Sequence, residues 1–469
     1  MDKSILRHLP AVDVVLNRIA GESFELPDKY VKLVVRDTIA QTRQAILNDS
    51  ADLNGEVDDL EKYITHQVKQ KLSQRSDGSI RPVVNATGIV LHTGLGRAPL
   101  STATRESLNQ IAAGYSNLEF DLPSGQRGQR NDHVEDLLCS LTGAESALMV
   151  NNNAAAVMLA INELAEGKEA IISRGQLVEI GGSFRIPEVM AKSGAVMVEI
   201  GTTNRTHLKD YIQAITDETR LVLVVHTSNY KVEGFTAMPE LTEIVDAAHQ
   251  HQVPVLYDLG SGALIDLDHY SLPHEPLVEA VVSTGVDVIT FSGDKLIGGP
   301  QAGLIVGKAE YVDRMKKNPL TRVLRCDKLI HAAMESTLRT YVNPDTLPEK
   351  NMTYRMLTRS HDEMRETGEA ILAELSDVQK KVLNISLHEA AVEAGSGSLP
   401  TESIPSQALI ISDAAWSADK IMRWMRTYST PVVGYIAQGR CYFNLRTLFE
   451  RDHAVLAKAF KALAAEMES

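Results

Sequence analysis

The chain of 469 residues is too long for one compact core, so its length predicts two or three domains. Its composition, with 44% hydrophobic and 23% charged residues, is that of a soluble globular protein, and three scattered cysteines favour a reduced cytoplasmic protein over a disulfide framework. The formal net charge of −14 excludes a protein that coats nucleic acid through a generally basic surface, although it does not exclude a local RNA-binding surface.

Residues 1–75 are predicted to form a helical domain. Apolar residues recur there at three- and four-residue spacing in three segments, 12–19, 30–47 and 57–72. Acidic and basic residues nearly balance in this region, so its charge gives no signal of nucleic-acid binding. From the residues alone, a dimerisation or docking module is the favoured interpretation.

Residues 76–335 are predicted to form an α/β core that is entered through a linker at 76–88. Short apolar runs alternate with amphipathic stretches, as is typical of βαβ units around a mostly parallel sheet. The runs are ESALMV, EAIIS, GAVMVEI, TRLVLVVH, VPVLYDL, VDVITFS and GLIVG. A long helical region over about 321–380 then leads into a C-terminal α+β domain, residues 336–469, which mixes strand-like pieces with helices.

The segment DVITFSGDKLIGG places a lysine directly after a buried strand. The strand ends near Ser292, and Lys295 follows among small residues, at the kind of strand end where open α/β sheets bind ligands. A lysine there can form a Schiff base with the aldehyde of pyridoxal phosphate, and the Ser292 hydroxyl can donate to the phosphate. Taken alone, the segment favours a surface lysine in a glycine-rich hairpin, so the assignment depends on residues elsewhere in the chain.

Two other strand ends offer partners for such a cofactor. Asp258 ends the apolar run VPVLYDL, and a carboxylate buried there needs a cation, which the protonated pyridine nitrogen would supply. After the run ALMV, Asn152, Asn153 and Ala154 begin a helix whose N–H groups suit the cofactor phosphate. Each feature has a structural alternative, a turn aspartate in one case and simple helix caps in the other.

The segment VVHTSNY adds His226 and Asn229, which could face the cofactor ring or serve as ordinary structural side chains. The order of these features, with a phosphate helix, an aspartate strand and then Lys295, is that of the aspartate-aminotransferase-like enzymes, the fold type I enzymes that use pyridoxal phosphate. We therefore expect that fold class, with Lys295 and Asp258 as catalytic residues. No metal site is expected.

Three arginines form a second candidate site. Arg97 lies in the glycine-rich run NATGIVLHTGLGRAPLS, whereas Arg322 and Arg325 lie one turn apart in a predicted helix and hence on one face. Together they would bind a tetrahedral oxyanion, because guanidinium groups bind phosphate in a bidentate manner. For the helical pair alone, a solvated basic helix face is the favoured interpretation.

Long, ordered motifs over nearly the whole chain resemble those of the bacterial selenocysteine synthases, the L-seryl-tRNA(Sec) selenium transferase family. The motifs are NATGIVLHTGLGRAPL, VNNNAAAV, SRGQLVEIGGSFRIP, EIGTTNRTH, VHTSNY, DLGSG, FSGDKLIGGPQAG, RVLRCDK and GSGSLP. The resemblance implies an enzyme dependent on pyridoxal phosphate that converts seryl-tRNA(Sec) to selenocysteinyl-tRNA(Sec) through an aminoacrylyl-tRNA, with selenophosphate as selenium donor. Lys295 would remove the α-proton of serine, and Asp258 would strengthen the cofactor ring as an electron sink.

The resemblance also implies partners and an assembly. Arg97, Arg322 and Arg325 would bind the phosphoryl group of selenophosphate, and the N-terminal helices would bind the tRNA by its shape. The subunits would assemble in the cytoplasm as a ring of five dimers, a homodecamer. One departure from the family's pattern is Gly94, where asparagine is common, so the loop before Arg97 is expected to differ slightly.

Two alternatives stay open at this level. A β-eliminating lyase that uses pyridoxal phosphate on a free amino acid or amino sugar would have the same core, but it would not need the N-terminal helices. A catalytically silent RNA-binding or scaffold protein would bind no cofactor, so visible absorbance that depends on Lys295 would exclude it.

Overall fold

The computed structural model of the chain describes residues 3–48, 60–76, 78–180, 184–226, 232, 234–399 and 403–468. The chain forms two compact units, Met1–Pro82 and Val83–Ser469. The expected boundary at residue 335 lies inside the second unit, and the division into three domains stays a prediction. Within the described ranges, no helix is both long and apolar enough to cross a membrane.

The described part of the first unit contains three α-helices, α1 (Val12–Ile19), α2 (Asp28–Leu47) and α3 (Leu60–Ser76). Their apolar residues lie three and four positions apart, which places them on one face of each helix. Val15, Val35, Ile64 and Val68 are fully buried where these faces meet. The predicted helices are therefore present, while residues 57–59 of the third predicted segment lie outside the described residues.

The second unit alternates strands and helices. Its strands are β1 (Val84–Asn85), β2 (Phe120–Asp121), β3 (Gln126–Arg127), β4 (Ser146–Val150), β5 (Glu169–Ser173), β6 (Glu179–Ile180), β7 (Phe184–Arg185), β8 (Val196–Ile200), β9 (Thr219–Val225), β10 (Val255–Gly260), β11 (Val288–Ser292), β12 (Gly303–Gly307), β13 (Ile385–Val392), β14 (Ile404–Ile411), β15 (Val432–Val433), β16 (Tyr435–Ala437) and β17 (Arg440–Asn444). Its helices are α4 (Thr102–Ala112), α5 (Asp132–Thr142), α6 (Asn153–Ala165), α7 (Ile186–Lys192), α8 (Leu208–Ala214), α9 (Leu241–Gln250), α10 (Val278–Ser283), α11 (Ala309–Lys317), α12 (Pro319–Leu324), α13 (Lys328–Leu338), α14 (Leu347–Lys350), α15 (Met352–Leu357), α16 (His361–Ala373), α17 (Asp377–Leu383), α18 (Ala418–Thr427) and α19 (Glu450–Glu468).

The main sheet has seven strands in the order β4-β12-β11-β10-β9-β5-β8. Strand β12 is antiparallel to both of its neighbours, and the other pairs are parallel. Each of the seven apolar runs forms one of these strands, so the predicted α/β class and mostly parallel sheet are confirmed. In the register of β10, Asp258 pairs with Thr290 on one side and with Val225 on the other, so β9, β10 and β11 end together.

Helices cover both faces of this sheet, which is why its strands are continuously apolar. Leu223, Leu256 and Val288 face the side covered by α6, α7 and α11. Val222 and Ile289 face the opposite side, which α5, α9 and α10 cover. The alternation of apolar side chains within each strand thus fixes both layers and leaves the polar residues at the strand ends.

The C-terminal part contains a four-stranded antiparallel sheet, β13-β14-β17-β16, with α16, α18 and α19 packed against it. Strand β13 was not predicted, since only its first and last residues are buried and its apolar residues do not alternate along its whole length. Residues assigned to the entry linker also differ from expectation, because Val84 pairs with Val432 in a parallel strand pair.

The helical region expected over about 321–380 is divided into six α-helices, α12 to α17. Polar side chains accept hydrogen bonds from the backbone at the starts of most of them and so begin each helix separately. These capping residues are Asn318, Asp327, Asn351, Ser360 and Ser376. The region is helical as predicted, and these caps divide it into separate helices.

Candidate active site

Lys295 lies three residues beyond the end of β11, and its side chain is buried with 7% of its surface exposed. The turn that carries it is fixed by the Tyr341 hydroxyl, which donates to the main-chain oxygens of Leu296 at 3.2 Å and Ile297 at 3.0 Å. Burial is the main reason that the pKa of the Lys295 amine is lowered, and the positive charge of Arg97 acts in the same direction. The shift raises the share of the neutral amine, the form that acts as nucleophile or base, above that of an exposed lysine.

Asp258 lies at the end of β10 and is 3% exposed. Its Oδ1 accepts hydrogen bonds from Asn153 Nδ2 at 2.8 Å and from Thr290 Oγ1 at 3.2 Å. Burial nevertheless raises the pKa of this carboxyl, with these two hydrogen bonds and the charge of Lys295 acting in the opposite direction. A bound cation at this carboxylate would offset the cost of burying it.

The N-terminus of α6 faces the same place. Asn152 caps the helix, since its Oδ1 accepts a hydrogen bond of 2.9 Å from Ala155 N. Strand β12 passes directly behind this turn, and a Cβ on Gly303 would lie 2.0 Å from Asn152 O, so the position requires glycine. The helix N-terminus with its positive partial charge is thus held at the edge of the sheet, where it suits an anion.

A cavity of about 450 Å³ brings these groups together. Its lining includes eight of the ten predicted site residues: Arg97, Asn152, Asn153, Ala154, His226, Asp258, Ser292 and Lys295. Among the described residues, the other lining members are Thr93, Gly96, Phe184, Gly260, Asp294 and Gln301. The strand-end residues that the sequence predicted therefore converge on one cavity.

His226 continues β9 and is held in place by its backbone N–H, which donates to Asp258 O at 2.9 Å. Its Nε2 lies 3.8 Å from Oε2 of Glu275, a carboxylate that is 3% exposed. Burial lowers the pKa of the imidazole, and the negative charges of Glu275 and Asp258 partly oppose this shift. His226 is therefore favoured as a neutral imidazole beside Lys295.

Glu275 was missed by the sequence analysis. It accepts hydrogen bonds from Leu399 N at 2.7 Å and from Ser261 Oγ at 3.2 Å, so it connects the GSGSLP motif to the site. No apolar strand precedes Glu275, which is why the strand-end pattern could not identify it.

Arg97 reaches the cavity from the turn before α4. Its backbone has a positive φ of 60°, its N–H donates to His92 O at 3.0 Å, and its Nη1 lies 2.7 Å from Asp294 Oδ2. A Cβ on Gly94 in the same turn would lie 3.3 Å from His92 Cε1. A larger residue at position 94 would need His92 to shift, and glycine leaves that ring in place.

Residues 83–449 match the L-seryl-tRNA selenium transferase family. The chain belongs to this family. The L-seryl-tRNA(Sec) selenium transferases of Geotalea daltonii and of Caldanaerobacter subterraneus subsp. tengcongensis are each 45% identical to it, over 98% of this chain and 99% of each relative. The resemblance seen in the motifs is thereby confirmed. Among solved structures, D-glucosaminate-6-phosphate ammonia-lyase has the same fold, with a TM-score of 0.60 and 17% identity over 86% of this chain and 99% of that one.

The cavity of this family member fits pyridoxal phosphate. Asp258 is a buried acceptor with a raised pKa that a pyridinium nitrogen would neutralise, and Lys295 is a buried amine next to it. Among the described residues, Oδ1 of Asn153 is buried without a hydrogen-bond partner, so the cavity retains an unsatisfied polar atom at the helix end. The Asp258 carboxylate, the Lys295 amine and the N-terminus of α6 therefore match the ring nitrogen, the aldehyde and the phosphate of the cofactor.

Arg322 and Arg325 do not join Arg97 within one chain. They line a second cavity of about 460 Å³, which shares no lining residue with the Lys295 cavity in the described part of the chain. The expectation that both lie on one helix face is also wrong, because α12 ends at Leu324 and Arg325 is extended. Its backbone forms a bridge with Val150 instead, which ends the helix.

Asn229, the other residue considered near the ring, lies outside the described residues.

Proposed function

We propose that the chain catalyses the L-seryl-tRNA(Sec) selenium transferase reaction, which converts serine esterified to selenocysteine tRNA into selenocysteine. The observation that carries this proposal is the buried Lys295 in one cavity with Asp258 and the N-terminus of α6. Relatives that bear the name of this activity are 45% identical over nearly the full chain, which supports the same assignment.

Pyridoxal phosphate, when bound, withdraws electrons from Cα of the amino acid and makes its proton easier to remove. Asp258 would hold the positively charged ring nitrogen at the end of β10. Asn152, Asn153 and Ala154 would bind the phosphate at the N-terminus of α6, and the Ser292 hydroxyl would donate to it. The helix and the strand end thereby fix the cofactor at two opposite points.

Lys295 is proposed to carry protons during the reaction. Its lowered pKa makes the neutral amine available to take the proton from Cα of serine. As the resulting ammonium, Lys295 can protonate the hydroxyl that leaves Cβ as water, which returns it to the neutral amine. It can then take up the proton of the selenol as selenium bonds to Cβ and deliver that proton to Cα. Water cleaves the Se–P bond, and the phosphoryl group leaves as phosphate. Neutral His226 beside it adds no positive charge that would lower the basicity of the amine.

Selenophosphate is the proposed selenium donor, with Arg97, Arg322 and Arg325 binding its phosphoryl group. Because the last two arginines line a separate cavity, we propose that a second copy of the chain supplies them to the Lys295 cavity. This arrangement requires a homo-oligomer, which we propose to be a pentamer of dimers. The N-terminal helices are proposed to bind the tRNA, and the enzyme to act in the cytoplasm.

The test is to incubate the purified enzyme with pyridoxal phosphate, seryl-tRNA(Sec) and selenophosphate and to identify the amino acid released from the tRNA. Selenocysteine is expected with the wild type and not with Lys295→Ala. Free serine in place of seryl-tRNA(Sec) is the control substrate. Turnover of free amino acids with no conversion of seryl-tRNA(Sec) would contradict the proposal and favour a β-eliminating lyase.

A further inference from the structure

A larger cavity of about 620 Å³ lies beside the Lys295 cavity. Gly96 and Arg97 line both, so a single turn of chain separates them. We name this space the arginine cavity, after the five arginines in its lining, which are Arg97, Arg105, Arg355, Arg359 and Arg451. We propose that the arginine cavity binds the 3′-terminal nucleotides of the aminoacyl-tRNA.

Four of the five arginines lie within ion-pair distance of a carboxylate, and three of these pairs are short enough to hold the arginine in place. Arg97 pairs with Asp294 across the shared wall. Arg355 and Arg359 both pair with Glu363, and Arg359 also donates to three main-chain oxygens at 2.8–3.2 Å. These side chains build the wall of the cavity, and Asp294 and Glu363 compensate two of their three positive charges.

Arg105 and Arg451 are the two arginines of the cavity whose guanidinium groups are least engaged by carboxylates. Arg105 is exposed and donates to the Thr102 hydroxyl at 2.9 Å, and it forms no ion pair with any described residue. Arg451 is exposed as well, and its Nε lies 3.8 Å from Asp452 Oδ1, beyond hydrogen-bond distance. Both guanidinium groups therefore have donors available for phosphate oxygens.

The N-termini of two helices add to the positive electrostatic potential of the arginine cavity. Thr102 is the first residue of α4 and Glu450 is the first of α19, and both line the cavity. Helix N-termini carry positive partial charge, which favours phosphate groups. Among the described residues that line the cavity, Glu450 is the one carboxylate, so cations predominate there.

The rest of the lining is mainly apolar and includes an aromatic ring, with Asn85, His92 and Thr447 as further polar members. Phe449 lies under Arg451, whose guanidinium is 4.8 Å from the ring centroid, and Met352, Met356 and Leu448 are its neighbours in the lining. Proteins that bind single-stranded nucleic acid combine cations for the backbone with such surfaces for the bases. The volume also lies within the usual range for small-molecule sites, roughly 300–1,000 Å³. The chemistry therefore suits nucleotides better than a small inorganic anion.

Because the arginine cavity adjoins the Lys295 cavity, we assign it to the 3′ end of the tRNA. This assignment rests on the proposed function. Serine esterified to the terminal ribose must reach Lys295, so the terminal nucleotides must occupy space directly next to that cavity. A third cavity of about 420 Å³ also adjoins it, through Asn152 and Phe184, but Arg185 and Lys192 are its only cations in the described residues. The arginine cavity is thus the better site for a polyanion.

The test compares two RNAs and two enzymes that carry the full chain and cofactor. The RNAs are intact selenocysteine tRNA and the same tRNA without its three 3′-terminal nucleotides. The enzymes are the wild type and Arg105→Ala/Arg451→Ala. We expect the double variant to weaken binding of intact tRNA about tenfold and to reduce the slope of log K against log salt by about 1.4, or about 0.7 per phosphate contact. Binding of the shortened tRNA should not change.

Arg423→Ala/Arg426→Ala is the matched control, since it removes the same charge from exposed positions on α18 outside these cavities. It should affect neither RNA. Equal weakening of both RNAs by the Arg105/Arg451 variant would overturn the proposal. So would a raised KM for selenophosphate with unchanged tRNA binding, because the cavity would then bind the inorganic anion. These binding results do not require turnover, so failure of the wild type to convert seryl-tRNA(Sec) would be recognised separately as failure of the proposed function.

Discussion

Asn153 Nδ2 donates a hydrogen bond of 2.8 Å to Oδ1 of Asp258. This bond joins the first residue of α6 to the end of β10, so the helix N-terminus and the buried carboxylate are held at a fixed separation. Thr290 on β11 donates to the same oxygen at 3.2 Å and orients the carboxylate from the other side. Two points of contact for one cofactor are thus built into neighbouring elements before any ligand binds.

Asp258→Asn should separate the contribution of this carboxylate to catalysis from its effect on the free energy of unfolding. Without the negative charge the ring nitrogen loses its partner, and kcat for selenium transfer should fall by at least about 100-fold, as for other preorganised electrostatic groups. Steady-state kinetics with the full set of substrates measures this loss. Asn retains an oxygen acceptor for Asn153 and Thr290, so folding should be preserved.

The cofactor-free Asp258→Asn variant should also be more stable than the cofactor-free wild type at neutral pH. Because burial raises the pKa of Asp258, the folded state binds its proton more tightly than the unfolded state does. Wild-type stability from this group is therefore lost as pH rises from the unfolded pKa, about 3.9, through the raised folded value. Thermal unfolding at several pH values should show that the variant loses less stability than the wild type as pH rises. If the stability of both proteins depended on pH in the same way, burial of the Asp258 carboxylate would not destabilise the fold.

Lys295→Ala should abolish selenium transfer and the visible absorbance that a lysine-bound cofactor gives, because no other described amine lines the cavity. Absorption spectra of the purified proteins with added pyridoxal phosphate measure the second effect. Lys209→Ala, an exposed change on α8, should leave both properties intact. A persistent lysine-type spectrum in the Lys295 variant would mean that another amine holds the cofactor.

The sequence could predict the parts of the site that lie at the ends of apolar strands. Asp258 and Lys295 each follow an apolar run, and parallel strands that end together bring such residues to one edge of the sheet. Glu275 follows no strand and is placed by a bond to Leu399, more than a hundred residues later in the chain, so local patterns carried no signal for it. Arg325 was predicted to be helical, but it lies outside α12 because its backbone pairs with Val150 in the sheet, and this pairing overrides the local helical preference.

Glu275→Gln should lower the pKa of His226 below its value in the wild type. The negative charge of Glu275 is the largest influence that raises this pKa against the effect of burial, and glutamine removes it with little change in shape. NMR titration of the His226 imidazole would show protonation at more acidic pH in the variant. An unchanged titration would indicate that the 3.8 Å approach of these side chains is not maintained in solution.

Mixing two inactive variants should restore activity if two copies of the chain build each site. A dimer of Lys295→Ala and Arg325→Ala chains would contain one site with both mutations and one with neither. Random assortment should then give about a quarter of the wild-type activity, since half of the dimers are mixed and each has one intact site. Lys295→Ala mixed with Asp258→Ala is the matched control, because both residues line one cavity, and it should stay inactive. No recovery in the first mixture would contradict the shared site.

Gly303→Ala tests how closely β12 supports the phosphate end of the site. The added methyl group would lie 2.0 Å from Asn152 O, which is main chain and cannot move without displacing the start of α6. We expect a loss of about 1–3 kcal/mol in the free energy of unfolding, as for other overpacked positions, together with weaker binding of pyridoxal phosphate. Gly114→Ala is the control, because a Cβ there meets nothing within 4 Å and the backbone is not left-handed. If both variants bind the cofactor equally well, the close approach of β12 to α6 does not shape the phosphate site.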